Sequence, residues 1–286
     1  TLILDQSTSA YHLPRAVNFD DEVMRIFQSI GLTEQMSQIS EIGGNAHFVD
    51  AKDNIILSWM RPQKLSENNF YIGYRFHQPD LEEVLRNGLR RFPTVIKRWG
   101  SKVVDVDQND ANAWVQYVDI SSGQRHEVSA SYVVGCDGAR SLTRNYINSN
   151  VEDLGFREAW LVVDLILKNP KINSSRESFH YCELERSASS AFVGFKRKRW
   201  EFRLNPNDIT EEITKPTNVW KLLKRWIGPE DAILERATVY TFESLIAKQW
   251  RESRILIAGD AAHQTPPFMG QGMCAGIRDV ANLGWK

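Results

Sequence analysis

The amino-acid sequence predicts a mixed α/β (α+β) fold built from two interleaved parts, and three observations carry that prediction. Two apolar runs, Tyr132–Cys136 and Ile255–Ala258, each lead into an acid beside a glycine just before the chain turns toward a helix. Helical stretches with apolar residues at i, i+3, i+4 and i+7 lie between strand-like runs. A further region, Phe156 to Leu204, is written mostly in β-like runs. The chain has 286 residues, about two domains' worth at roughly 150 residues each.

Composition narrows the function classes. With 42% hydrophobic and 25% charged residues the chain has a globular balance, which excludes disorder, collagen and coiled coil. Lys plus Arg number 35 against 36 Asp plus Glu, a net charge of −1, so nothing draws the whole surface to nucleic acid or anionic lipid. The longest apolar run, Trp160–Leu167, falls far short of the roughly 20 residues of a membrane span, and Asp164 interrupts it. No nucleic-acid and no membrane partner is expected. Cys136, Cys182 and Cys274 are widely spaced, without the paired pattern of a zinc site. They read as free thiols of a reducing, cytoplasmic compartment, and no metal site is expected.

The elements follow in order. Val23, Ile26, Phe27 and Ile30 line one helix face over 18–31, with Asp20, Asp21 and Glu22 on the favourable first turn and Gly31 as the stop. A second helix is expected after Pro79, with Leu81, Val84, Leu85 and Leu89 on one face. A third is expected over 218–228, with Val219, Leu222, Leu223 and Trp226 inward. Val103–Val106, Ala113–Ile120, a Ser121-Ser122-Gly123 turn and Glu127-Val128 read as a small meander feeding the run at 132–136. In the β-rich region, Lys196-Arg197-Lys198-Arg199 lies between two strand-like runs and reads as a solvated hairpin tip.

The chemistry concentrates at the two strand ends. Asp137 follows Tyr132–Cys136 and precedes Gly138 and a helix start near Ser141. A carboxylate there can accept hydrogen bonds from a ligand hydroxyl, or it can cap the next helix, and local pattern leaves both open. The second signal runs from Arg254 through Gly259-Asp260 and His263 to Pro266-Pro267 and Gly270-Gln271-Gly272. Glycines there let backbone approach a ligand, and a helix start near Gly272 offers N–H groups to an electron-rich acceptor. The pattern suits a cofactor site made of backbone, with a tight turn as the alternative. His263 reads as a loop-fixing residue. The chain contains no G-x-G-x-x-G; instead Leu2-Ile3-Leu4-Asp5 is an apolar strand closing on an acid. In a dinucleotide-binding unit such an acid holds ribose hydroxyls about 20 residues beyond the glycine loop.

Together these residues resemble the single-component flavoprotein aromatic hydroxylases of the para-hydroxybenzoate hydroxylase fold, most closely the 3-(3-hydroxyphenyl)propionate hydroxylase branch. The marks are Leu4-Asp5, Pro14-Arg15-Ala16 with Asp20-Asp21-Glu22, Gln78-Pro79-Asp80-Leu81-Glu82, Cys136-Asp137-Gly138 with Ser141 and Arg144, Gly259-Asp260 through Gly272, and the tail Arg278–Lys286. The resemblance implies a Rossmann-like FAD-binding domain over 1–40, 75–144 and 244–286, lacking its first βα unit. It also implies a β-sheet substrate domain over 41–74 and 145–243.

It implies roles as well. Asp5 would bind the adenosine ribose of FAD, and Arg15 and Gln78 its ribose-phosphate region. Asp260 would hold the ribityl chain and nearby phosphate, while Pro267, Gly270, Gln271, Gly272 and Met273 would lie along the flavin. Asp137 and Gly138 would serve both FAD and reduced nicotinamide, supported by Ser141 and Arg144. The implied reaction hydroxylates a small phenolic substrate with NADH or NADPH and O2 through a flavin hydroperoxide. No nucleophile triad is required, and no catalytic residue is named. A polyketide- or resorcinol-type hydroxylase of the same fold and a catalytically silent fragment are the alternatives, and a homodimer is left open. Since the glycine loop would fall before Thr1 and the chain stops inside a helix at Lys286, the expectation is a chain truncated at both ends that binds FAD poorly or not at all.

Overall fold

The computed structural model describes residues 1–169 and 175–286. They form two compact units, one of Thr1–Pro14, Pro79–Phe156 and Glu243–Lys286, the other of Arg15–Gln78 and Arg157–Phe242. These boundaries differ from the expected ones. Residues 15–40 and 75–78 fall in the second unit because Asn18–Phe19 and Ser40–Ile42 both pair antiparallel with Tyr74–Phe76. Fully buried Phe19 packs there on Phe27, Tyr74 and Phe76. Residues 145–156 fall in the first unit, where Ile147 is buried in one core with Val106, Ile255 and Ile257.

The first unit is built from short sheets. Leu2–Asp5 runs parallel to Ile96–Trp99, with Asp5 opposite Trp99. Ser101–Gln108, Ala113–Asp119 and Arg125–Ala130 form the antiparallel meander that the sequence predicts. Val133–Gly135 runs parallel to Ile255–Ile257, and Arg251–Glu252 flanks the latter. The helix expected after Pro79 begins one residue earlier, at Gln78, and ends at Gly88. Helices Leu142–Tyr146 and Gly272–Gly284 follow the two strand ends.

The second unit centres on a large sheet. Its strands lie in the order Ala232–Ala247, Val151–Leu167, Arg197–Arg203, Ala188–Phe192, Ser178–Tyr181, Ala46–Val49 and Ile55–Trp59, the first two contributing residues to both units. One face carries Leu161, Val163, Leu165, Trp200 and Phe202, which form a core with Val219 and Leu223 of the helix Pro216–Leu223. Apolar residues at every second position make that face, as expected of a half-buried sheet. Helix Asp21–Ser29 occupies the predicted place, with Asp20 accepting from the Val23 N–H at 3.0 Å as its cap.

The basic run departs from expectation. Only Lys196 belongs to the turn; Arg197 opens the strand Arg197–Arg203, and Lys198 and Arg199 are buried. The reason lies across the sheet in Asp164, 1% exposed, which stands opposite Arg199. Its Oδ1 accepts from Arg199 Nε at 2.8 Å and its Oδ2 from Arg236 Nε at 2.8 Å, so one carboxylate serves two guanidinium groups. The acid that interrupts the apolar run is the counter-charge that lets the basic run enter the sheet. Lys198, 2% exposed, points to the other face with Trp200, its ammonium 5.1 Å from the indole ring.

Two outcomes are expected. Asp164→Asn leaves two buried guanidinium groups without a carboxylate and should cost about 3–5 kcal/mol in urea unfolding; a change below about 1 kcal/mol would sink the account. Burial pulls the Lys198 ammonium down to about 8, below its unfolded value, so the unfolded chain binds more protons between that pH and about 10.4. Lys198 therefore disfavours folding at neutral pH, and this penalty fades as pH rises through that window. Lys198→Met should stabilise at pH 7 by no more than about 3 kcal/mol, with the gain shrinking toward pH 10. A pH-independent gain would contradict the assignment.

Candidate cofactor site

Val133–Gly135 and Ile255–Ile257 are parallel and in register, Gly135 opposite Ile257, and the Ala258 N–H donates to the Gly135 carbonyl at 3.1 Å. The strands therefore end level, and each carboxyl end leads into an aspartate loop, the place where open α/β sheets bind ligands. Gly135 is required here. A Cβ on it would lie 2.4 Å from the Thr143 side chain, so only glycine lets the following helix come this close.

The Asp137 carboxylate is turned toward its own chain. Its Oδ2 accepts from the Thr143 N–H at 2.9 Å and the Thr143 hydroxyl at 3.0 Å, while its Oδ1 accepts from the Ser141 hydroxyl. Ser141 Oγ in turn accepts from the Arg144 N–H at 2.8 Å as the helix cap. Both Asp137 oxygens thus hold the start of the Leu142–Tyr146 helix. Gly138, at φ +78°, has open space where a side chain would stand, so this loop offers backbone to a ligand. Arg144 ties the two strand-end loops together, its Nη1 donating to the Ala261 carbonyl at 3.0 Å and its Nη2 to the Ala139 carbonyl at 2.7 Å.

On the second strand end, Gly259 adopts φ +63° and its N–H donates to Asp279 Oδ2 at 3.0 Å. The same oxygen lies 2.6 Å from Nε2 of His263, whose ring packs on Trp250. A Cβ on Gly276 would stand 3.2 Å from the Gly259 Cα, so the Gly272–Gly284 helix packs here through its small residue. His263 fixes the loop. Asp279 and Thr143 are the site residues that sequence reasoning missed. Gly135, a glycine inside a strand, was the available signal for Thr143.

Asp260 is exposed. Pro267–Met269 form a single 3₁₀ turn and Gly270, at φ +62°, turns the chain into the helix. The first-turn N–H groups after Gln271 have no intrahelical acceptors, and Gly270, Gln271, Gly272 and Met273 all keep part of their surface. Asp5 lies on another strand of the unit. Its Oδ1 accepts from the Ser7 N–H at 2.8 Å, and Arg86 Nη2 stands 3.9 Å from its Oδ2. Arg86 lies over the Trp99 ring at 4.1 Å, and both line an open cleft of about 540 Å³ with His12, Asp80, Arg90 and Lys97.

Arg15 and Gln78 belong to the second unit. Gln78 Oε1 accepts from the Arg15 N–H at 3.0 Å and the Ala16 N–H at 2.8 Å, leaving its amide NH2 to face a ligand. Arg199 Nη1 donates to the Arg15 carbonyl at 2.7 Å, so the Arg15 backbone is pinned on both sides while its side chain is exposed.

These residues fit a flavin dinucleotide. Carboxylates at Asp5 and Asp260 suit ribose and ribityl hydroxyls, the helix start at Gly272 suits an electron-rich acceptor, and Gly138, Gly270 and Gly272 allow close approach. Arg144→Met should loosen both loops and cost about 2 kcal/mol in urea unfolding, from lost hydrogen bonds to a charged donor. Arg144→Lys should recover less than half. A loss under about 0.5 kcal/mol for Arg144→Met would show that the tie does not hold the loops.

Comparison with known proteins agrees with this geometry. A model described as FAD binding domain matches residues 1–286. The chain is 38% identical to a probable NADH-specific resorcinol 4-hydroxylase of Rhodococcus jostii, covering 100% of this chain and 53% of the relative. It is 33% identical to a 3-(3-hydroxy-phenyl)propionate/3-hydroxycinnamic acid hydroxylase of Burkholderia cenocepacia, covering 100% and 52%. The chain thus spans about half the length of these curated relatives. Among solved structures, p-nitrophenol 4-monooxygenase of Pseudomonas putida superposes at a TM-score of 0.87 with 20% identity, over 99% of this chain and 72% of that one. Aklavinone-11 hydroxylase, solved with FAD and aklavinone, superposes at 0.85 with 19% identity, over 99% and 56%. These two share the fold. The chain belongs to the FAD binding domain family.

Proposed function

We propose that this chain carries the FAD site and the phenol-binding surface of a monooxygenase that hydroxylates a small phenolic ring with NADH or NADPH and O2. The observation that carries this is the pair of parallel strands ending level, with Asp260 exposed beside a glycine-opened helix start. The two named relatives, both hydroxylases of phenols by their descriptions, support the same reaction class.

Asp5 is assigned to the adenosine ribose, its carboxylate steadied by the Ser7 N–H. Asp260 is assigned to the ribityl chain and nearby phosphate, and Gly270 to Met273 to the flavin ring. Arg15 and the Gln78 amide are assigned to the ribose-phosphate region. Asp137 acts indirectly: it holds Ser141 and Thr143 and so presents Gly138 as bare backbone. When bound, FAD supplies the redox chemistry that activates O2 for insertion into the ring. The chain's own task is to orient the ring and keep water out. The polar face of the second unit's sheet, with Ser178, His180, Ser189 and Glu201, offers groups for that purpose.

FAD titration followed by flavin fluorescence tests this. Asp260→Ala should weaken binding about tenfold or more, the worth of a hydrogen bond to a charged group, and the FAD-loaded protein should oxidise NADH or NADPH faster with a phenol present. Unchanged affinity in the variant would remove Asp260 from the site. Absence of phenol-stimulated oxidation in a protein saturated with FAD would contradict the proposed reaction.

A further inference from the structure

Within the second unit, one buried cation has no counter-charge. Arg75, on the strand Tyr74–Phe76, is 5% exposed. Its Nη2 donates to the Ser178 hydroxyl at 2.9 Å, and its buried Nε has no hydrogen-bond partner among the described residues. Beside it stands a second guanidinium, Arg61. A Cβ built on Gly43 would lie 3.6 Å from both Arg75 Nε and Arg61 Nη1, and one built on Gly73 would lie 3.5 Å from Arg61 Nη1. Two guanidinium groups therefore converge on a nook that two missing side chains leave free.

Like charges side by side in a buried place are unfavourable unless something neutralises them. The nearest carboxylate, Glu177, is engaged elsewhere: its Oε2 lies 3.1 Å from His47 Nε2 and its Oε1 3.4 Å from Asn45 Nδ2. Residues 170–174, Pro-Lys-Ile-Asn-Ser, contain no carboxylate to lend. Burial, with Arg61 adding to it, pulls the Arg75 guanidinium down to about 9. Burial and both arginines hold His180 below the ordinary histidine value, so the imidazole is neutral at pH 7 and adds no third charge. Arg61 and His180 are only partly buried, so the cluster is not sealed from ligands. By contrast the other buried arginines, Arg199 and Arg236, share Asp164.

We infer that Arg61 and Arg75, with Gly43 and Gly73, form an anion subsite that takes the carboxylate of an aromatic acid. The planar fork of a guanidinium matches the two oxygens of a carboxylate, and burial makes such a pair strong. The inference rests on the proposed phenol chemistry and adds to it that the substrate ring carries an acidic side chain. Arg75 with Ser178 anchors the acid, and Arg61 closes on it.

Calorimetric binding to the FAD-saturated protein of three probes, 3-(3-hydroxyphenyl)propanoate, its primary amide and resorcinol, separates the possibilities. The acid should bind at least tenfold more tightly than the amide. Arg75→Gln should bring acid and amide within about twofold of each other. Gly43→Ala should do the same without altering any charge, since its methyl group meets its neighbours at ordinary contact distance. Equal affinity of acid and amide in the parent, or a preference that survives both variants, overturns the subsite. Equal losses for all three probes in Arg75→Gln also overturn it, because the arginine would then serve the ring and not the acid. Binding of resorcinol and amide without acid preference leaves the phenol chemistry standing, whereas binding of none of the three removes both.

Discussion

The cofactor site depends on one constraint: two parallel strands, Val133–Gly135 and Ile255–Ile257, end at the same level, and the loops that follow are held from both sides. Arg144 spans the loops through the Ala139 and Ala261 carbonyls, Asp137 fastens the helix start after the first strand, and Asp279 fastens Gly259 after the second. Each fastening consumes a side chain that could otherwise have met a ligand. What remains free is backbone at Gly138 and Gly270, the helix start at Gly272, and one carboxylate, Asp260. A site of this kind binds through preorganised backbone groups, which cost little further ordering when a ligand arrives.

The second unit shows how charge is placed inside a sheet. Asp164 accepts from two guanidinium groups, and Arg199 spends its remaining donor on the Arg15 carbonyl. The buried ion cluster thereby also positions a loop assigned to the cofactor. Burying such a cluster gains little stability over apolar packing, but removing one member is costly. The same sheet leaves Arg61 and Arg75 without a carboxylate among the described residues. A protein that neutralises one pair of arginines so fully and leaves the next pair open has room for an anion from outside.

Local pattern made much of this legible. The spacing of Val23, Ile26 and Phe27 gave the first helix, the β-propensity of 103–128 gave the meander, and the glycine and aspartate at each strand end pointed to the site. Legibility ended where a residue's partner is far along the chain. Nothing near Lys196–Arg199 in sequence shows that Asp164, 35 residues away from Arg199, admits it to the sheet. Asp279 lies 20 residues from Gly259 and looks like any acid on an amphipathic helix. Asp137 illustrates a different limit. Ligand-binding and capping carboxylates occupy the same place after a strand, and only the positions of Ser141 and Thr143 show that its oxygens are turned inward.

Hydrogen exchange of this chain with and without FAD tests the central claim most directly, because it reports where the cofactor slows the backbone and requires no turnover. The account expects new protection concentrated at residues 137–140 and 258–276, with lesser protection around Asp5. Protection confined to other segments, or none in a chain shown to bind FAD, would contradict a site built on the two level strand ends.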